Sequence, residues 1–149
     1  EIKTIAKANG IDIRGKEYLT SLCGGIPGRI FELASDKSFE ENRNIVMRFV
    51  FEADTRSRLD FNQYLSKNKS AVSSCMDILE SIYRDALMVQ CSVTDGLINS
   101  DKKDNIIKYA RGLSPDDIFA KISGIEEIRS NLKRYMNYQL AVDMLTLAL

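Results

Sequence analysis

The chain has 149 residues, 44% of them hydrophobic, with Lys+Arg and Asp+Glu both 21 and no histidine. That length allows one ordinary domain or two small ones with a real core, and the charge balance argues against bulk DNA or an anionic membrane as a charge-driven partner, leaving only local basic patches. The lack of histidine removes the commonest general base, the commonest metal ligand and any Ser-His or Cys-His nucleophile pair.

Cys23, Cys75 and Cys91 form an odd set with no C-x-x-C pair. They read as reduced, mostly buried side chains of an intracellular protein, neither a disulfide framework nor a zinc site. Nothing beside Cys23 could activate it as a nucleophile. No signal peptide opens the chain, and its start on Glu1 suggests an excised fragment. Its longest apolar tract, "LAVDMLTLAL", is interrupted by Asp143 and falls short of the roughly 20 residues of a membrane span.

Helical spacing dominates and strand alternation is absent, so the expected class is all-α. Residues 1–36 read as three short helices. Ile2, Ile5 and Ala6 line the first, which stops at Asn9-Gly10. Tyr18, Leu19 and Leu22 line the second, which stops at Gly24-Gly25, and Ile30, Phe31, Leu33 and Ala34 serve the third. Pro27 suits a first helical position. Arg29 then sits in a first turn, where the helix dipole disfavours a cation unless negative charge faces it.

Ser38 followed by Glu41 has the form of a capping box. A long helix with Ile45, Met47, Phe49, Val50 and Ala53 should follow, running on through Leu59, Phe61 and Leu65 with a break near Thr55-Arg56. After "SKNKS", Val72, Cys75, Met76, Leu79, Ile82, Tyr83, Ala86 and Leu87 mark a helix buried on a wide face. Ile106, Ile107, Tyr109 and Ala110 mark a shorter one that closes at Gly112. Ser114 caps the next, with Pro115, Asp116 and Asp117 in its first turn and Ile118, Ile122, Ile125, Ile128, Leu132 and Tyr135 on its apolar face. Asn137 marks a corner before a last helix, Leu140 to Leu149. No period of 30 to 45 residues recurs, which argues against a solenoid. The expected architecture is a three-helix module followed by a bundle of about five longer helices.

Three stretches carry a resemblance. "LCGGIPGRIFELA" resembles the lid of AAA+ ATPases of the bacterial clamp-loader family, in which a "GG-x-x-GRA" turn opens the third lid helix. "ILESIYRDALMVQ" is similar to the "RD" helix of that family's carboxyl-terminal collar, and "LKRYMNYQLAVDMLTLAL" to its closing Asn-containing helix. The delta-prime branch of DNA polymerase III loaders is the nearest in kind. Ile26 stands where many relatives carry Ser, and Ile30 where Ala is usual.

The resemblance implies a lid over residues 1–36 and a collar over 37–149. It also implies that Gly28 and Arg29 lie near a nucleotide, Arg29 at the sensor-2 position. The fragment itself holds no cofactor; ATP comes near Arg29 in the assembled complex. Delta-prime subunits are generally taken not to hydrolyse ATP.

Partners by resemblance are the other loader subunits, through the collar, with the sliding clamp and primer-template DNA reached only by the whole complex. The whole complex would be a cytoplasmic replication assembly whose holoenzyme is a DNA polymerase. The last helix is apolar on several sides, and Leu140, Met144 and Leu145 are candidates for the oligomer interface. No phosphate loop, metal cluster or nucleophile–base pair is evident, so the fragment is expected to be non-enzymatic and to have no catalytic residues. The same region of a gamma/tau-like subunit is an alternative, and an unrelated helical adaptor a more distant one.

Glu40-Glu41 and Asp116-Asp117 fit helix starts better than acid–base chemistry. Arg84-Asp85 could form an ion pair within the bundle or across a subunit boundary, with an intramolecular or solvent-facing arrangement favoured because neighbours on a helix do not face each other. The Lys67, Lys69, Lys102 and Lys103 runs suit solvated loops.

Overall fold

A computed structural model describes residues 4, 16, 18–23 and 26–149. Among them are eight α-helices, one 3₁₀ turn and no strand. The helix expected around Ile2, Ile5 and Ala6, with its stop at Asn9-Gly10, and the Gly24-Gly25 turn lie outside the described residues. Two short helices come first, α1 (Tyr18–Leu22) and α2 (Pro27–Ser35). They are followed by α3 (Lys37–Glu52), α4 (Thr55–Lys67) and α5 (Ala71–Gln90). A 3₁₀ turn at Ser100–Lys102 leads into α6 (Lys103–Ala110), α7 (Pro115–Lys133) and α8 (Tyr138–Ala148).

The bundle after residue 36 therefore has six helices, because the first long element is broken. Ala53 adopts a left-handed backbone at φ 51°, and Asp54 opens α4 by accepting the Ser57 amide at 2.7 Å. Ala53, expected in the buried row, is exposed as a result, and Leu59 also points outward. The row that is buried includes Val46, Phe49 and Val50 on α3, and the Phe49 ring stacks on Phe61 of α4 with centroids 4.3 Å apart.

The α5 helix is the axle of the domain, packed against α3, α6 and α7. Cys75, Met76, Ile78, Leu79, Ile82, Tyr83 and Ala86 are all buried along it. Each large aliphatic side chain placed there stabilises the fold by about 1.5–3 kcal/mol relative to exposure. The α8 helix closes the bundle on α4 and α7. Tyr18, Leu19, Cys23 and Ile30 from the two short helices join the same apolar cluster.

Helix ends follow local chemistry. Ser114 and Asp117 form the reciprocal capping box expected of α7, and Asn137 accepts the Leu140 amide to open α8. The box expected at Ser38 and Glu41 is replaced. Helix α3 starts two residues earlier than that pattern requires, and the Asp36 carboxylate accepts both the amide and the hydroxyl of Ser38. Asp36 also closes α2 through its own amide to Glu32, so one residue ends a helix and begins the next.

Tyr135, expected on the apolar face of α7, lies beyond that helix and is 98% exposed. The amide of Met136 bonds back to Asn131 at 3.0 Å, which closes α7 in a Schellman turn and forces Tyr135 to φ 68°. That position ordinarily belongs to glycine, and a left-handed backbone costs other residues about 1–2 kcal/mol. Cys91, expected among mostly buried cysteines, is exposed; Cys23 and Cys75 are buried.

Candidate functional site

Arg29 lies in the first turn of α2 with its side chain about half exposed. Among the described residues the carboxylate within its reach is Asp77 of α5, at 3.8 Å. The negative charge that its place at a helix start calls for is thus supplied, loosely, from within the chain. The groove around it, about 350 Å³, is lined by Arg29, Glu32 and Asp36 on one side and by Ser70, Ser73 and Asp77 on the other.

Three carboxylates line the groove beside Arg29, so these residues do not by themselves make a polyphosphate site. Ile26 at the cap position has no side-chain oxygen for the free amides of α2; only its backbone carbonyl accepts the Arg29 amide, at 3.2 Å. A Cβ added to Gly28 would meet nothing within 4 Å, so no contact inside the chain requires glycine.

Asp77 is also held by Arg129 of α7 at 3.0 Å, and Arg129 reaches Glu80 at 2.8 Å. Burial pushes the Glu80 carboxyl above its ordinary range, an effect opposed by Arg129 and reinforced by Glu126. Cys23 offers no thiolate beside the groove, because burial raises its thiol more than Arg29 lowers it. Cys75, sealed against α5's neighbours, is pushed up to about 12 by burial.

Sequence reasoning missed the best-ordered polar cluster. Asp85 is fully buried, and its carboxylate accepts the Ile98 amide at 2.9 Å, the Asn99 amide at 2.7 Å and the Asn99 side-chain amide at 3.0 Å. Arg84 completes the ring from its exposed side at 3.0 Å. The adjacent pair does form an ion pair within the chain, but the principal role of Asp85 is to anchor the loop after α5. Asn99 passes the network to Arg43 of α3, which is 4% exposed and grips Asp101 with both guanidinium nitrogens, at 2.7 and 3.1 Å.

The other face of that guanidinium lies 3.8 Å from the centre of the Tyr18 ring. The Tyr18 hydroxyl donates to Glu40, which also binds Lys16 at 2.8 Å. Burial first, and the Glu40 carboxylate second, push the Tyr18 hydroxyl well above its ordinary pKa. Arg43 and Asp101 are 58 positions apart, a separation at which no local spacing signals a contact.

The α8 candidates separate. Leu145 is wholly buried in the core beside Ala141 and Val142, and Met144 is partly covered against it. Leu140 stays 51% exposed, and Leu147, not singled out as a candidate, is 80% exposed. Positions seven apart share a helix face, so these two leucines make one outward stripe. Among the described residues no group of three His, Cys, Asp or Glu side chains could hold a metal ion, and no helix is long and apolar enough to cross a membrane.

A family model for the carboxyl-terminal part of the delta subunit of DNA polymerase III matches residues 38–149. No curated protein matches the chain, and no solved structure does.

Proposed function

The chain belongs to the family of carboxyl-terminal domains of the DNA polymerase III delta subunit, and on that premise we propose that it is the lid and collar of a bacterial clamp-loader subunit of the delta-prime type. Its work is assembly, not catalysis. The collar joins the other loader subunits into the ring that places the sliding clamp on primer-template DNA, in the cytoplasm. Clamp and DNA are engaged by the whole complex. The delta-prime assignment is supported by the "GGIPGR" turn, which places Arg29 where the sensor-2 arginine of such lids would stand. ATP would approach Arg29 only where neighbouring subunits add the cations this groove lacks.

The observation that carries the reading is the two-sided final helix. Its inner side fills the core with Ala141, Val142 and Leu145, while Leu140 and Leu147 stand in solvent on its outer side. Two leucines exposed on one face are a poor use of a surface that meets only water. Light scattering on the chain mixed with its organism's other loader subunits tests this. A hetero-oligomer peak is expected, and it should be lost in Leu140→Glu plus Leu147→Glu, a variant that leaves the core untouched and the melting temperature close to wild type. A complex that survives that double change would remove the α8 face from the interface.

A further inference from the structure

One end of the bundle gathers basic and aromatic groups that the assembly reading leaves without a task. The carboxyl end of α4, the start of α5 and the α7–α8 turn meet there. The Tyr138 hydroxyl donates to the Leu65 carbonyl at 2.6 Å, and the Lys69 ammonium sits 5.3 Å from the centre of the Tyr138 ring. Lys133 lines a shallow groove with Val72 and Ser73 at the start of α5. Lys67, Lys69, Lys133 and Arg134 are all exposed, and none has a carboxylate within ion-pair distance among the described residues. The flanking Asp60 is occupied by Arg48 at 3.1 Å.

Tyr135 lies in the α7–α8 turn, just after Lys133 and Arg134 in sequence and three residues before Tyr138. Among the described residues three non-glycine positions have positive φ, and the other two are the small Ala53 and Ser92. Tyr135 alone is a large aromatic, and it is 98% exposed, so packing does not repay its strained backbone. Glycine would close the same α7 turn without that strain, so a tyrosine kept there points to use of the side chain itself. An open ring flanked by cations is the arrangement that stacks a nucleobase while the neighbouring charges take phosphates.

We propose that this end of the bundle is a docking surface for single-stranded DNA, with Tyr135 stacking on a base and Lys67, Lys69, Lys133 and Arg134 neutralising the adjoining phosphates. DNA is favoured as the strand because the chain's family is that of a DNA polymerase subunit. The proposal concerns the chain alone and does not depend on the α8 interface.

Fluorescence anisotropy of a labelled oligothymidylate titrated with the chain provides the test. At low salt the expected dissociation constant is on the order of 10 µM, weakening with salt at a log–log slope of about −3 if all four cations each neutralise a phosphate. Tyr135→Ala should weaken binding about tenfold and Tyr135→Phe should hardly change it, because the stacking face remains. Lys69→Glu with Arg134→Glu should weaken it more and flatten the salt slope.

No binding up to roughly 300 µM at low salt would overturn the proposal. So would Tyr135→Ala binding as well as wild type, or tighter binding to an oligouridylate or to phosphatidylserine vesicles than to the DNA. Thermal melts of each variant keep a loss of fold distinct from a loss of contact.

Discussion

Replacing Asp85 with alanine should be among the most damaging single changes in the domain. The carboxylate accepts three N–H groups from Ile98 and Asn99; alanine would orphan the Ile98 and Asn99 backbone amides, and the Asn99 side-chain amide would keep only its bond to the Ser81 hydroxyl at 3.1 Å. An orphaned buried donor costs about 1–3 kcal/mol. The Ile98 amide is only part-buried and can recruit water, which brings the total to about 3–4 kcal/mol.

Against a typical total stability of about 5–15 kcal/mol this is a large fraction, and it should lower Tm by about 6–14 °C. Urea denaturation followed by circular dichroism would show the fall in midpoint at unchanged slope, and hydrogen exchange would show the Ile98 and Asn99 amides opening. Arg84→Ala is the control: that side chain is about half exposed, and its loss should cost less than about 0.5 kcal/mol. An Asp85→Ala protein within about 1 kcal/mol of wild type would refute the view that this carboxylate holds the loop.

Tyr135→Gly should raise stability by about 0.5–1 kcal/mol, seen as a small rise in Tm, since glycine accepts the left-handed backbone freely; a fall would mean the ring packs on something. Ser114→Ala removes one half of the α7 capping box and should cost about 1 kcal/mol in a urea melt. Asp117 is held below the ordinary carboxylate range by the Ser114 hydroxyl and amide, and Asp54 by the Ser57 amide and hydroxyl. Because each folded pKa lies below an unfolded value of about 3.9, the folded state binds fewer protons; this stabilisation is complete above about pH 5 and is lost as pH falls through the folded values. Melting temperatures measured from pH 6 downward should therefore drop less steeply in Asp117→Asn than in wild type. Arg43→Met should loosen the packing of α1, with faster proteolysis near Tyr18, because the cation under the ring and the grip on Asp101 go together.

The helices after residue 36 were largely legible because periodicity and capping are local properties. The apolar ladder of α5 and the Ser114 cap appear where the spacing puts them. The Ala53–Asp54 break was half visible: Asp54 is a good cap, but nothing in the sequence marks alanine as the residue that turns left-handed. Tyr135 continued the spacing of Ile128 and Leu132 so well that the end of α7 was hidden; the closing bond from Met136 decides it, not the side chains. Around Arg29 the sequence showed a cation at a helix start but not its partner Asp77, which arrives from another helix. The Arg43–Asn99–Asp85 network was invisible for the same reason, with partners 13 to 58 residues apart.

Asp36 makes the joint between α2 and α3 a pivot without a linker. A nine-residue helix is roughly 13 Å long, so a 10° torsion at that single residue would swing its far end by about 2 Å. Arg29, most of that length away, would move nearly as far. Its contact with Asp77 is already stretched to 3.8 Å and would break early in such a swing. The two short helices thus form an arm seated on the core through Tyr18, Leu19 and Ile30, and any rotation at its fulcrum would be magnified where the charge sits.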